Sequence, residues 1–137
     1  MRNRYLYILA LVIPIMWIGC TNKEKSHKDL AKVLSGMAAN LNSDAPIQFD
    51  EHTVFIGAEV DANNTFKYLY KIINVEDAKS MMNDVEIQTR ARIRDAFAGD
   101  DKLKIFTDNK VYIDYIYTDE SGDTLRVIHI TPEDYKK

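Results

Sequence analysis

The chain has a single cysteine, Cys20, so it can form no internal disulfide, and a small fold stapled by disulfides is excluded. Its five glycines stand one by one, which leaves no glycine-rich loop to cradle a phosphate. His27, His52 and His129 lie too far apart for metal-ligand spacing, so no metal and no cofactor are expected. No serine sits in a nucleophile elbow. Asp61-Ala62-Asn63-Asn64-Thr65 opens like a calcium loop but lacks the central glycine and the closing glutamate, and reads instead as a hairpin turn. Basic residues are also short, 18 against 21 acidic for a net charge of −3, whereas nucleic acid demands a basic face. Long apolar runs are missing too. The uncharged stretch from Tyr5 to Ile18 falls short of the about 20 residues that span a bilayer, and Pro14 interrupts it.

What is present begins with that stretch. Arg2 and Arg4 precede it, and the small residue Gly19 stands directly before Cys20. A positive start, a short apolar centre and a small residue at the exit make a secretory signal. With Ile18-Gly19-Cys20 at its end, the segment resembles the leader of bacterial lipoprotein precursors, although Trp17 occupies a position where they carry an aliphatic residue. The resemblance implies cleavage between Gly19 and Cys20 and a diacylglycerol on the Cys20 sulfur. One acyl chain holds a protein only marginally, so the two or three carried by such a residue make the lasting attachment. Thr21 is not the aspartate that can retain such proteins at the inner membrane, which places the expected location at the outer membrane. The resemblance thus implies a cell-envelope protein whose membrane partner is reached through lipid.

Loss of Arg2 and Arg4 with the leader makes the remainder more acidic, which argues against electrostatic adhesion to anionic lipid. Residues 1–19 are read as leader, 20–28 as a lipidated tether without apolar side chains, and 29–135 as one domain with a modest core.

Within that domain, Ser26 to Asp29 offers a helix cap, and Leu30, Leu34, Met37 and Leu41 form one apolar stripe. From Ile47 the period becomes two. Val54, Ile56, Ala58 and Val60 alternate with Thr53, Phe55, Gly57 and Glu59, and Thr65–Ile73 returns as the second strand of a hairpin. Asn74 to Asp77 reads as the cap of a long second helix ending near Ala98, with Gly99 as its left-handed terminator. On that helix Met81, Met82, Val85, Ile93, Ala96 and Phe97 share one side, while Ile87 and Ala91 fall opposite. Leu103–Phe106 fits a short strand or a helical turn. Val111–Thr118 and Leu125–Thr131 are strands joined by a turn at Asp119–Asp123, and Pro132 stops the last. The expected fold is α+β: a two-layer domain with an antiparallel sheet of four to five strands packed by two helices. Its layout loosely resembles small exported bacterial domains of cystatin-like shape, a likeness of topology that carries no function.

No catalytic residue stands out. The carboxylate pairs Asp100-Asp101, Asp119-Glu120 and Glu133-Asp134 fall in turns or termini, where acids are solvated. The protein is therefore read as a non-enzyme. Two surface features remain. Arg90, Arg92 and Arg94 alternate along the second helix; Arg90 has Glu86 one turn away as an ordinary partner, whereas Arg92 projects near the apolar stripe. Tyr68, Tyr70, Tyr115 and Tyr117, with Tyr112 and Phe66, load two strong strands with rigid amphipathic area. They suit either a core face or a groove that grips a peptide or glycan. The expected function is a lipid-anchored, non-catalytic envelope protein that binds another protein as inhibitor, immunity factor or accessory subunit. The alternative is a module for a small envelope ligand or glycan.

Overall fold

The computed structural model describes residues 22–136. Residues 1–19, read as a leader, and Cys20 lie outside the described residues. Helix α1 spans Asn22–Asp44, so it starts ahead of the expected cap at Ser26 and takes in most of the segment read as a tether. The physical reason is local. Residues 22–28 contain neither proline nor glycine, and lysine and glutamate are good helix formers. The predicted stripe faces inward, with Leu34 fully buried, Ala38 buried beside it, and Leu30, Met37 and Leu41 packed against them. Burying a leucine of this kind contributes about 1.5–3 kcal/mol.

Five strands follow in the order β1 (Ile47–Gln48), β2 (Thr53–Val60), β3 (Phe66–Ile72), β4 (Ile113–Thr118) and β5 (Thr124–Ile130), and they lie side by side in that order. The α+β class and the two-layer layout are as expected, but the sheet is mixed. β1–β2, β2–β3 and β4–β5 pair antiparallel, while β3–β4 pair in parallel. The long connection between β3 and β4 carries helix α2 (Met82–Gly99), the kind of crossover that brings a strand back in the same direction.

Three local expectations are corrected. The predicted alternation of β2 changes phase at Ile56, where the register with β3 jumps from Phe55 to Gly57. A bulge puts two residues opposite one, so Phe55 and Ala58 both reach the covered face while Ile56 is exposed. Helix α2 begins at Met82 and not near Asn74, because Asn74 takes a left-handed φ of 57° and Asp77 closes a turn with Ser80. In that turn the Asp77 carboxylate accepts from the Ser80 N–H, and the Ser80 hydroxyl donates to the Asp77 carbonyl. Gly99 is simply the last helical residue. Asp100 is extended and accepts the Lys102 N–H at 2.8 Å, opening a 3-10 turn at Asp101–Leu103 that runs into helix α3 (Lys104–Asp108). Leu103–Phe106 is thus helical, and Ile87, opposite the stripe, is simply exposed.

Helix α4 (Pro132–Tyr135) closes the described chain. Its Tyr135 hydroxyl bonds the carbonyls of Val111 at 2.8 Å and Phe106 at 3.2 Å. The buried residues of β3, β4 and β5 (Phe66, Ile72, Ile113, Tyr117, Ile128 and Ile130) share one face, and the helices cover it. The other face is wet. Across it Glu59, Lys67, Asp114 and His129 sit on adjacent strands, with Lys67 3.9 Å from Glu59 and His129 2.7 Å from Asp114.

The outer edge of β2 is closed by one side chain of α1. Asn42 Nδ2 donates to the Ala58 carbonyl at 2.8 Å, and Asn42 Oδ1 accepts the Ala58 N–H at 2.6 Å. A Cβ at Gly57 would stand 3.0 Å from Asn42 Oδ1, so the close approach depends on glycine there.

Candidate binding groove

The parallel register of β3 and β4 sets Tyr68 beside Tyr115 and Tyr70 beside Tyr117. Their rings stack at 5.0 Å and 5.1 Å, with planes 14° and 16° apart, and Tyr70 also stacks on Tyr115 at 6.2 Å. Such pairs contribute about 0.5–1.5 kcal/mol each beyond the area they bury. The resulting ladder lies on the covered face but is not sealed. Helix α1 packs on β2 and α2 leans toward β5 and α4, so the strands between them form the floor of a groove.

One half of this groove, about 230 Å³, is lined by Tyr68, Tyr70, Tyr115 and Tyr117 below, by Ile93 and Phe97 of α2, and by Leu103 at its end. The other half, about 500 Å³, is more polar and is lined by Phe49, Asp50, Thr53 and Gln88. Tyr70, Tyr117, Thr89 and Arg92 border both halves, so the two are continuous. The structure therefore brings together all five residues singled out from the sequence: Tyr68, Tyr70, Tyr115, Tyr117 and Arg92. It separates Phe66, which is fully buried against Phe106, and Tyr112, which is 56 % exposed at the end of the domain. Phe49 escaped the sequence reading. It is 61 % exposed, sits 6.1 Å from Tyr70, and belongs to the short alternation Ile47–Phe49, its one signal in the sequence. Leu103 escaped as well, because the helical turn that aims it was not fixed by periodicity.

The floor is apolar in shape and uncharged in chemistry. Burial pushes the Tyr68 phenol up to about 12, and pushes Tyr70 and Tyr115 higher, with neighbouring phenols adding to the effect. Tyr117 is also raised by burial, while the Thr89 hydroxyl and the Arg92 guanidinium pull the other way. Phenols held above their ordinary range stay protonated at neutral pH and offer hydroxyls, not a base. Among the described residues no group of histidine, cysteine, aspartate and glutamate side chains is placed to hold a metal ion.

The arginines differ in their partners. Arg90 pairs with Glu86 at 3.0 Å, as expected from the spacing, and also reaches Asp134 at 3.5 Å. Arg126 meets the same Glu86 at 2.7 Å. The hydrogen bond from Arg90, ahead of that from Arg126, holds the Glu86 carboxyl below its ordinary value. Arg92 is exposed and, among the described residues, has no carboxylate at ion-pair distance. The groove thus pairs an aromatic floor with an uncommitted cation on its rim.

Residues 29–126 match a domain family described as a domain of unknown function, DUF8479. The chain belongs to this family. The match contains every groove residue from Phe49 to Tyr117. No curated protein matches the chain. Among solved structures, a Pseudomonas aeruginosa protein, PA3611, provisionally named as secreted, superposes with a TM-score of 0.67 at 13% identity over 80% of this chain and 96% of its own. EpsS, a pilotin of the Vibrio vulnificus type 2 secretion system, gives 0.59 at 9% identity over 83% and 98%. AspS, a type 2 secretion system pilotin of Vibrio cholerae, gives 0.56 at 11% over 82% and 97%. At such identities the likeness is one of fold. Among the described residues no helix is long and apolar enough to cross a membrane.

Proposed function

We propose that this is an exported, non-catalytic envelope protein, lipid-anchored through Cys20 after loss of residues 1–19, whose domain from residue 29 to 135 binds a segment of another protein in the tyrosine groove. The observation that carries the reading is the groove itself: a stacked ladder of four neutral tyrosines beside a rim arginine that has no carboxylate partner among the described residues. Aromatic residues and arginine are the types that dominate binding energy at protein interfaces, and here they are gathered in one concavity. The fold shared with two secretion-system pilotins and a protein named as secreted supports a role in export or envelope assembly. Within the lipoprotein resemblance, Thr21 in place of an aspartate after the cysteine supports an outer-membrane location.

The test is photo-crosslinking in intact cells. A photoreactive phenylalanine analogue replaces Gln88 at the groove rim in one strain and Lys71 on the opposite sheet face in another. The groove position is expected to capture one discrete protein that the Lys71 position does not. Equal capture at both positions, or none at the groove, refutes the reading. Capture of a small glycan or other small ligand at Gln88 would favour the alternative of a ligand-binding module.

A further inference from the structure

Helix α1 is described from Asn22, two residues after Cys20. Two extended residues reach about 7 Å, whereas an unstructured tether through residue 28 would reach about 30 Å and let the domain turn freely. The helix is also fixed to the sheet at both ends. Asn64, 5 % exposed in the β2–β3 turn, donates from Nδ2 to the His27 carbonyl at 3.0 Å, and Asn42 holds Ala58 near the other end. A lipid on Cys20 therefore anchors a rigid body and not a loose one.

The end beside the start of α1 can be named. It holds the Asp61–Asn64 turn and, through the Phe66 N–H that donates to the Tyr112 carbonyl at 2.9 Å, the segment Lys110–Tyr112. Tyr112 projects there with more than half its surface exposed, outside the groove. Lys28 and Lys110 are exposed at this end as well. Tyrosine is favoured at the headgroup level of a bilayer, and lysine reaches polar headgroups along its apolar stem. Asp61 at the same end is held in its turn, where its carboxylate accepts the N–H groups of Asn63 and Thr65 and lies 3.7 Å from Lys67, and the exposed Asp29 stands next to Lys28, so this end carries both signs. The opposite end is different in charge. Asp50, Glu51, Asp119, Glu120 and Asp123 gather in its loops, where an anionic lipid surface would repel them.

We infer that the domain stands on the bilayer with the Asp61–Asn64 turn and Tyr112 at the lipid headgroups and the acidic Asp119–Asp123 turn pointing away. This orientation rests on the lipid at Cys20. The groove then runs outward from the membrane, Leu103 near it and Phe49 and Asp50 far from it.

The only tryptophan, Trp17, lies in the leader, so a chain beginning at Cys20 has none and a single introduced tryptophan reports depth. Chains beginning at Cys20 and carrying Tyr112→Trp, Ala62→Trp or Ser121→Trp are coupled through the cysteine thiol to maleimide-phosphatidylethanolamine. They are placed in phosphatidylethanolamine–phosphatidylglycerol vesicles containing brominated lipid. Y112W and A62W fluorescence is expected to be quenched roughly twofold, and S121W fluorescence to be nearly unchanged. Equal quenching at the two ends, or stronger quenching of S121W, overturns the orientation. Two near-end probes guard against one substitution disturbing the fold, which circular dichroism checks. Because the lipid is attached chemically, this outcome is independent of lipidation in the cell. That is read separately, from loss of detergent partitioning in the full-length Cys20→Ser protein.

Discussion

The Asn42–Gly57 contact makes a sharp prediction because two residues from distant parts of the chain share one interaction. Asn42→Ala deletes the donor and the acceptor that satisfy both backbone groups of Ala58, itself 5 % exposed. Each lost bond costs about 1 kcal/mol net, so the substitution should destabilise the domain by about 2 kcal/mol. Gly57→Ala acts on the same bonds from the other side. Its Cβ, 3.0 Å from Asn42 Oδ1, crowds the amide and should weaken both bonds, and the φ of 158° at position 57 adds a cost of its own, so the loss should be about 2 kcal/mol or more. In the double variant the methyl group meets no amide, so the total should remain near that of Gly57→Ala alone. The coupling is then about 2 kcal/mol, well above the roughly 0.5 kcal/mol scatter of independent sites. Any intrinsic preference for glycine at position 57 appears in both backgrounds and cancels. Urea unfolding of the four proteins, with a common slope, measures the cycle. Additive losses summing to about 4 kcal/mol would show that Gly57 and Asn42 act separately and that the clamp is not what holds α1 to β2.

Tyr135→Phe keeps the ring stacked on Phe97 but removes the hydroxyl that serves Phe106 and Val111, and should cost about 1–2 kcal/mol in thermal or urea unfolding. Glu86 has a folded-state pKa below its unfolded one, so its stabilisation is present above the unfolded value and is lost as pH falls through the folded one. Glu86→Gln should therefore lower stability at neutral pH by up to about 1 kcal/mol and flatten the acid limb of the stability curve measured by urea titration. The groove tyrosines have the opposite sign. Their folded values lie above the unfolded phenol, so stability holds below about pH 10 and declines as pH rises beyond it. Tyr68→Phe with Tyr115→Phe should reduce that alkaline decline, read as the urea midpoint at about pH 8 and about pH 10.5.

Sequence patterning reached β3 and β4 well because Phe66, Tyr68, Tyr70 and Ile72, and likewise Ile113, Tyr115 and Tyr117, recur at a period of two on the covered face, whereas β5 carries a bulge between its pairings to Tyr117 and Thr118. It failed in β2, where an inserted residue at Ile56 reverses the phase, since a bulge leaves no mark in an apolar–polar count. The direction of β4 relative to β3 was also beyond local reading. Two hairpins separated by a helix satisfy the same pattern in either orientation, and only the path of α2 across the sheet decides between them. Helix α1 starts ahead of its apolar stripe because helix formation in the Lys/Glu segment needs only the absence of breakers, not apolar residues. The tyrosines and Arg92 were visible as residue types on the right face. Their assembly into an open concavity depended on how far apart α1 and α2 stand, which no window of sequence encodes. Phe49, in a loop beside a two-residue strand, gave too short a signal.

The parallel contact between β3 and β4 joins two locally closed hairpins, β2–β3 and β4–β5, and the stacked tyrosines straddle that seam from side to side. Whatever lies across the ladder touches both hairpins at once and acts as a splint between them. Amide protons of β3 and β4 should then exchange more slowly with solvent when the groove is filled, while those of α1 keep their pace. The seam between the hairpins would double as an occupancy gauge, readable on the untagged protein before its partner has been identified.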